Sequence, residues 1–134
     1  MSYTATAYGP AGSLRHEIGV NGRHTIVTDE PESLGGTDTG PAPHELLPAA
    51  LASCISTMVA LYALKRDWAM GEVRVDVHYD HDVEPRAFTV EIQLPPGLSD
   101  DQIARLTKVA NTCPVRRALE AGFTFDERIV EAAA

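Results

Sequence analysis

The chain of 134 residues is poor in basic side chains: 11 Lys and Arg stand against 19 Asp and Glu, which gives a net charge of −8 and a pI near 5.0. The basic residues are scattered and form no stripe. Nucleic acids and anionic membrane surfaces attract basic proteins, so this balance argues against both as partners. A chain of this length is expected to form a single domain, residues 1–134.

The sequence also lacks the start of a secreted protein. Its first ten residues, MSYTATAYGP, contain neither the charged segment nor the apolar segment of a signal peptide. We therefore expect a cytoplasmic protein, in a compartment where thiols are kept reduced. Only two cysteines are present, Cys54 and Cys113. In that setting they are expected to be free, reactive or redox-active rather than a structural disulfide.

Common metal-binding and catalytic motifs are missing too. There is no CxxC, HExxH or GxSxG, and the loop at residues 29–43 has no phosphate-binding lysine pattern. The segment from His78 to Asp82 is rich in His and Asp, but His78 and His81 would point to opposite faces of a strand. We therefore expect no metal site and no nucleophilic serine.

What the sequence does contain is one long uncharged run, LLPAALASCISTMVALYAL, from Leu46 to Leu64. Its composition predicts a helix, and its length meets the test for a membrane span. We reject the membrane interpretation because the run contains Pro48, two Ser and a Thr, and because the rest of the chain is typical of a soluble sheet protein. A helix that is apolar on all sides is otherwise buried on all sides, and a short chain has few elements to cover it. A second copy of the chain would supply the missing cover.

Cys54 lies near the middle of this helix and shares its face with five apolar residues: Leu47, Ala50, Leu51, Met58 and Leu61. The simplest interpretation is a buried cysteine that acts as a small hydrophobe. A reactive Cys54 would need a nearby cation or hydrogen-bond donor, and His44, Arg15 and Arg23 are the candidates. Glu45 would lie on the opposite face of a regular helix.

The remaining patterns predict strands and two shorter helices. Alternating apolar residues predict strands at 14–20, 23–28, 73–79 and 88–94, with Asn21-Gly22 as a hairpin turn and a further short strand at 3–8. Ser99 to Gln102 fits a capping box, followed by a helix with Ile103, Leu106, Val109 and Ala110 on its buried side. Cys113 is expected at the N-cap of a last helix that begins with Pro114, and its thiolate would be stabilised there. Apolar residues at 123–130 predict a final strand.

Together, these motifs resemble the OsmC/Ohr family, the osmotically inducible and organic hydroperoxide resistance proteins. The resemblance rests on GGTDTGPAPHELLPAALASCISTMVALYA and the later CPVRRAL, and on the order of elements along nearly the whole chain. It implies an α+β fold, with antiparallel sheets around long central helices in an intertwined homodimer.

The resemblance also implies a chemistry: thiol-dependent reduction of organic hydroperoxides without a metal, haem, flavin or other cofactor. Cys54 would be the peroxidatic residue, Cys113 the resolving residue, and a dithiol such as a lipoyl-bearing protein the reductant. The alternatives are a redox-sensing or non-catalytic dimer with a reversible Cys54–Cys113 disulfide, and a structural dimer with two inert thiols.

This chain departs from the family pattern next to the helix. His44 stands where the peroxidase members carry a Glu, and Glu45 matches a second Glu found in some of them. The arginine that activates the thiol in the family comes from the N-terminal hairpin region. By resemblance it corresponds to Arg15, with Arg23 as the alternative.

Overall fold

The computed structural model describes residues 1–133, and over that range the chain is an α+β protein with antiparallel strands. The strands are β1 (Ala5–Tyr8), β2 (His16–Val20), β3 (His24–Thr28), β4 (Arg74–Asp80) and β5 (Ala87–Gln93). The helices are α1 (Leu46–Lys65), α2 (Asp100–Ala110) and α3 (Pro114–Ala121), with single 3-10 turns at Glu32–Leu34 and Pro43–Glu45. One sheet has the order β1-β2-β3, and β4 pairs with β5 in another. The α+β class expected from the sequence is confirmed.

The chain divides into two compact units. The first unit comprises Met1–Ala50 and Val77–Thr89, and the second comprises Leu51–Asp76 and Val90–Ala134. Helix α1 and strands β4 and β5 each contribute residues to both units. The expected single domain over residues 1–134 therefore stays a prediction.

The predicted hairpin at Asn21-Gly22 connects β2 and β3, which pair from His16 with Thr28 to Val20 with His24. Asn21 and Gly22 have φ angles of 51° and 66°, the left-handed backbone that such a turn requires. The Asn21 side chain also accepts a hydrogen bond from the Thr4 N–H at 2.8 Å. The turn residue thus holds the start of β1 against the hairpin.

The long loop after β3 is held by one buried carboxylate. Asp29 is 1% exposed, and it accepts hydrogen bonds from the Thr37 and Thr39 hydroxyls at 2.6 and 2.7 Å and from the Thr39 N–H at 3.1 Å. The Thr37 hydroxyl, then the Thr39 hydroxyl and N–H, hold the pKa of Asp29 well below its usual range. The fold is tight here, since a Cβ on Gly36 would lie 1.9 Å from the Glu30 carbonyl oxygen.

Helix α1 begins irregularly, as expected, because the 3-10 turn Pro43–Glu45 precedes it. Pro48 is the third residue of α1, where a backbone N–H would have no partner within the helix. By length and composition Pro43–Lys65 could cross a membrane, but the core helix of a soluble protein passes the same test.

Only one stripe of α1 is buried within the chain. It consists of residues spaced four apart: Leu51, Ile55, Val59 and Ala63. Leu61 and Leu64 are 46% and 71% exposed, so the expected burial on all sides does not occur in the single chain. The physical reason is that so short a chain has few elements to place around the helix. A second copy as the remaining cover stays a prediction.

Helices α2 and α3 begin at the predicted caps. The Ser99 hydroxyl accepts a hydrogen bond from the Gln102 N–H at 3.1 Å, and the Gln102 side chain accepts one from the Ser99 N–H at 2.9 Å. On α2, Leu106 and Ala110 are buried as expected, whereas Ile103 is 41% exposed, contrary to prediction. The first turn of α2 thus lies at the edge of the core of the second unit.

The predicted final strand at residues 123–130 is wrong: no strand occurs between residue 122 and residue 133. Phe125 and Ile129 are 90% and 97% exposed. A strand forms only where a neighbouring edge offers hydrogen-bond partners, and apolar alternation in the sequence does not supply that edge.

Candidate active site

The two cysteines meet in the second unit. Cys54 is half-buried in the middle of α1, and Cys113 is completely buried immediately before α3. The Cys113 thiol lies close enough to Cys54 to raise the pKa of its thiol, and both thiols are free. The structure thus brings together two sulfurs that are 59 positions apart in the sequence.

The position of Cys113 follows from the residues after it. Pro114 occupies the first helical position of α3, where its fixed φ angle suits a helix and its missing N–H costs nothing. Cys113 is therefore the N-cap, and its sulfur accepts a hydrogen bond from the Arg116 N–H at 3.5 Å. The preceding N–H of this turn, that of Val115, lies close enough to Cys54 to lower the pKa of its thiol.

Burial raises the pKa of the Cys54 thiol, and the neighbouring Cys113 thiol raises it further through its hydrogen bond and its charge. The Val115 N–H acts in the opposite direction, because it favours the thiolate. The net effect is a raised pKa. In the single chain Cys54 is therefore held as a thiol, and an additional cation is needed to make it a thiolate at neutral pH.

The apolar face expected around Cys54 is only partly covered. Of its five residues, Leu51 is buried, Leu47 and Met58 are half-buried, and Ala50 and Leu61 are exposed. Within one chain this face is therefore a partly open apolar surface beside the thiol.

His44 and Glu45 lie in the 3-10 turn that leads into α1, in the first unit. The His44 ring is 5.7 Å from the His81 ring and 6.3 Å from the Tyr79 ring, centroid to centroid. Glu45 accepts a hydrogen bond from the Ala42 N–H at 3.4 Å. Both residues line a cavity of the first unit with a volume of about 450 Å³. Their roles as catalytic residues stay predictions.

Arg15 lies just before β2, and its guanidinium is 3.9 Å from the Glu17 carboxylate, with both side chains largely exposed. Arg23 is also exposed and lies in the β2–β3 turn, where its N–H bonds the Val20 carbonyl at 3.1 Å. The assignment of either arginine as the cation that activates Cys54 stays a prediction.

Three structural features were not predicted: in the second unit the Val115 N–H near Cys54, and in the first unit the hydrogen bonds of Asp29 and the rings of Tyr79 and His81 beside His44. Only the first had a signal in the sequence, because Pro114 already marks a helix N-terminus with free N–H groups. Residues 1–133 contain no cluster of three or more His, Cys, Asp or Glu arranged to hold a metal ion.

The chain matches the model of a known family. The family model described as OsmC-like protein matches residues 36–128, which is more than half of the chain and includes both cysteines. The chain therefore belongs to the OsmC-like protein family, as the sequence motifs indicated. The search of curated proteins gave no match.

Solved structures share the fold. A Psychrobacter arcticus 273-4 protein, whose name connects it with osmotic stress and detoxification, is 25% identical, with a TM-score of 0.68 over 87% of each chain. An OsmC like protein from Mycoplasma pneumoniae is 18% identical, with a TM-score of 0.69 over 90% of this chain and 88% of its own. The organic hydroperoxide resistance protein OsmC of Legionella pneumophila is 21% identical, with a TM-score of 0.59 over 89% of each chain.

Proposed function

We propose that this protein is a thiol-dependent peroxidase that reduces organic hydroperoxides with Cys54 and Cys113. The observation that carries the proposal is the meeting of the two free thiols at the N-terminus of α3. Membership of the OsmC-like family supports it, as do structural neighbours named for organic hydroperoxide resistance.

The first step is attack of the Cys54 thiolate on the distal oxygen of the hydroperoxide. An S–O bond forms, the O–O bond breaks, and the alkoxide takes a proton to leave as the alcohol, so Cys54 is oxidised to a sulfenic acid and the peroxide is reduced. The apolar face beside Cys54 suits the alkyl part of such a substrate.

The second step is condensation of the Cys113 thiol with the Cys54 sulfenic acid, which forms the disulfide and releases water. Reduction by a dithiol, through exchange, restores both thiols. Cys113 is suited to this resolving role because its sulfur lies at the N-cap of α3, close to Cys54, and accepts a hydrogen bond from the Arg116 N–H. The proposal places the enzyme in the cytoplasm as a homodimer.

Because burial raises the pKa of Cys54, the proposal also requires a cation that opposes this effect. Arg15 is the proposed cation, and His44 and Glu45 are the further residues proposed to take part in catalysis. Replacing Arg15 by Ala should lower kcat/KM by about a hundredfold or more, the scale of loss when a group that activates the nucleophile is removed. Arg23→Ala is the matched control, and a larger loss there would move the assignment to Arg23.

The decisive experiment measures consumption of tert-butyl hydroperoxide by purified protein with dihydrolipoamide. The wild type should turn over many equivalents, whereas Cys54→Ser should not exceed the rate without protein. Equal rates of peroxide consumption by the wild type and Cys54→Ser would contradict the peroxidase proposal.

The raised pKa of Cys54 favours one alternative, a redox sensor in which Cys54 and Cys113 form a reversible disulfide, because a sensor can react slowly. A sensor would consume one equivalent of peroxide per chain and stop, even with dithiol present. An inert structural pair would leave both thiols unreactive to alkylation in the folded protein.

A further inference from the structure

The cavity of the first unit that contains His44 and Glu45 is also lined by aromatic rings. Four rings line it, and three of them are close to one another: His44, Tyr79 and His81, with centroids 5.7 to 6.3 Å apart; the fourth belongs to His78. Phe88 supports Tyr79 from 4.9 Å. The volume of about 450 Å³ lies within the range of small-molecule sites, roughly 300 to 1,000 Å³.

Besides three histidines, the ionisable side chains that line the cavity are acidic apart from Tyr79. Glu30 and Glu45 line it, and its lining within residues 1–133 includes no Lys or Arg. The protein as a whole carries a net charge of −8, which strengthens the negative potential there. Carboxylates next to an aromatic ring face are the groups that bind organic cations.

We propose that this cavity binds a small organic cation, such as an aromatic or N-alkylated amine, with the Tyr79 ring and the Glu30 and Glu45 carboxylates as its contacts. A bare metal ion fits less well, because the described residues contain no cluster of three ligands. Leu34 and the proline side chains at the cavity would contact the apolar part of the ligand. The cavity shares His44 and Glu45 with the peroxidase proposal, but cation binding there involves no thiol chemistry.

The test uses the full chain at pH 8, above the range in which histidine ordinarily titrates. Benzyltrimethylammonium is titrated by calorimetry, with benzyl alcohol as the uncharged probe of similar shape. The cation should bind saturably and at least about tenfold more tightly than the alcohol. The cation is titrated up to about 50 mM, because weak ligands need such concentrations. An absence of saturable cation binding, or equal binding of the two probes, would overturn the proposal.

Matched variants locate the site. Glu45→Gln and Glu30→Gln should each weaken cation binding about three- to tenfold, and Tyr79→Leu should do the same if it folds. Glu127→Gln removes the same charge from an exposed position outside the cavity and should leave binding unchanged. Equal weakening in Glu127→Gln would mean general electrostatic attraction and would reject the site. Binding should persist in Cys54→Ser, so that failure of the peroxidase proposal and failure of this one are separable.

Discussion

The backbone N–H of Val115 lies near enough to Cys54 to lower the pKa of its thiol, although the two residues belong to different helices. This contact stabilises a negative charge on Cys54, whereas burial and the Cys113 thiol oppose that charge. The reactivity of Cys54 therefore depends on the balance between the α3 turn and the core around it. The predictions below separate these contributions.

Replacing Cys113 by Ser should permit the first oxidation of Cys54 but prevent the disulfide. In our proposal the sulfenic acid then has no thiol to condense with, so it should accumulate and react with dimedone. Mass spectrometry after one equivalent of hydroperoxide should find the dimedone adduct on Cys54 in Cys113→Ser and a disulfide in the wild type. A disulfide that links two chains through Cys54 in the variant would show that another thiol resolves the intermediate.

Replacing Cys113 by Ala should lower the pKa of Cys54. The hydrogen bond and the charge of Cys113 both raise that pKa, and the variant lacks both. The rate of alkylation by iodoacetamide, followed against pH for the Cys54 peptide, should therefore have its midpoint at lower pH in the variant than in the wild type. An unchanged or higher midpoint would show that Cys113 does not raise the pKa of Cys54.

Asp29 should make stability depend on pH in acid. Its pKa is lowered in the folded state relative to about 3.9 for an unfolded Asp. The stabilisation is therefore fully present above about pH 5 and is lost as the pH falls toward the folded-state pKa. Urea denaturation should find Asp29→Asn less stable than the wild type at pH 7, with a smaller difference at pH 3.

The control for Asp29 is Asp38→Asn, which neutralises an exposed carboxylate in the same loop. Its difference from the wild type should be small at pH 7, because a solvated carboxylate has little effect on stability. A loss equal to that of Asp29→Asn would assign the effect to the charge of the loop as a whole.

Leu106→Ala should destabilise the protein by about 2 to 5 kcal/mol, because Leu106 is 1% exposed and its truncation leaves a cavity in the core of the second unit. Ile103→Ala lies one turn earlier on α2, where the side chain is 41% exposed, and should cost about 1 kcal/mol or less. Equal losses of unfolding free energy would mean that Ile103 is covered in solution by a second copy of the chain.

Most of the fold could be predicted because its signals are local. The cap at Ser99, the turn at Asn21-Gly22 and the start of α3 at Pro114 each depend on a few adjacent residues. The final strand could not be predicted in the same way. Alternation at residues 123–130 is also local, but a strand needs a partner edge elsewhere in the structure.

The candidate site likewise combines local features, which the sequence predicts, with contacts between distant residues, which it does not. The sequence by itself determined a helix that carries Cys54, a helix N-cap at Cys113 and the free N–H groups that follow it, because helix composition and Pro114 act over one or two turns. Only the tertiary structure decided that Val115 and Cys113 reach Cys54, that Asp29 anchors its loop, and that Tyr79 and His81 accompany His44. Such contacts join residues far apart in the chain, and their geometry depends on packing, which no short stretch of sequence specifies.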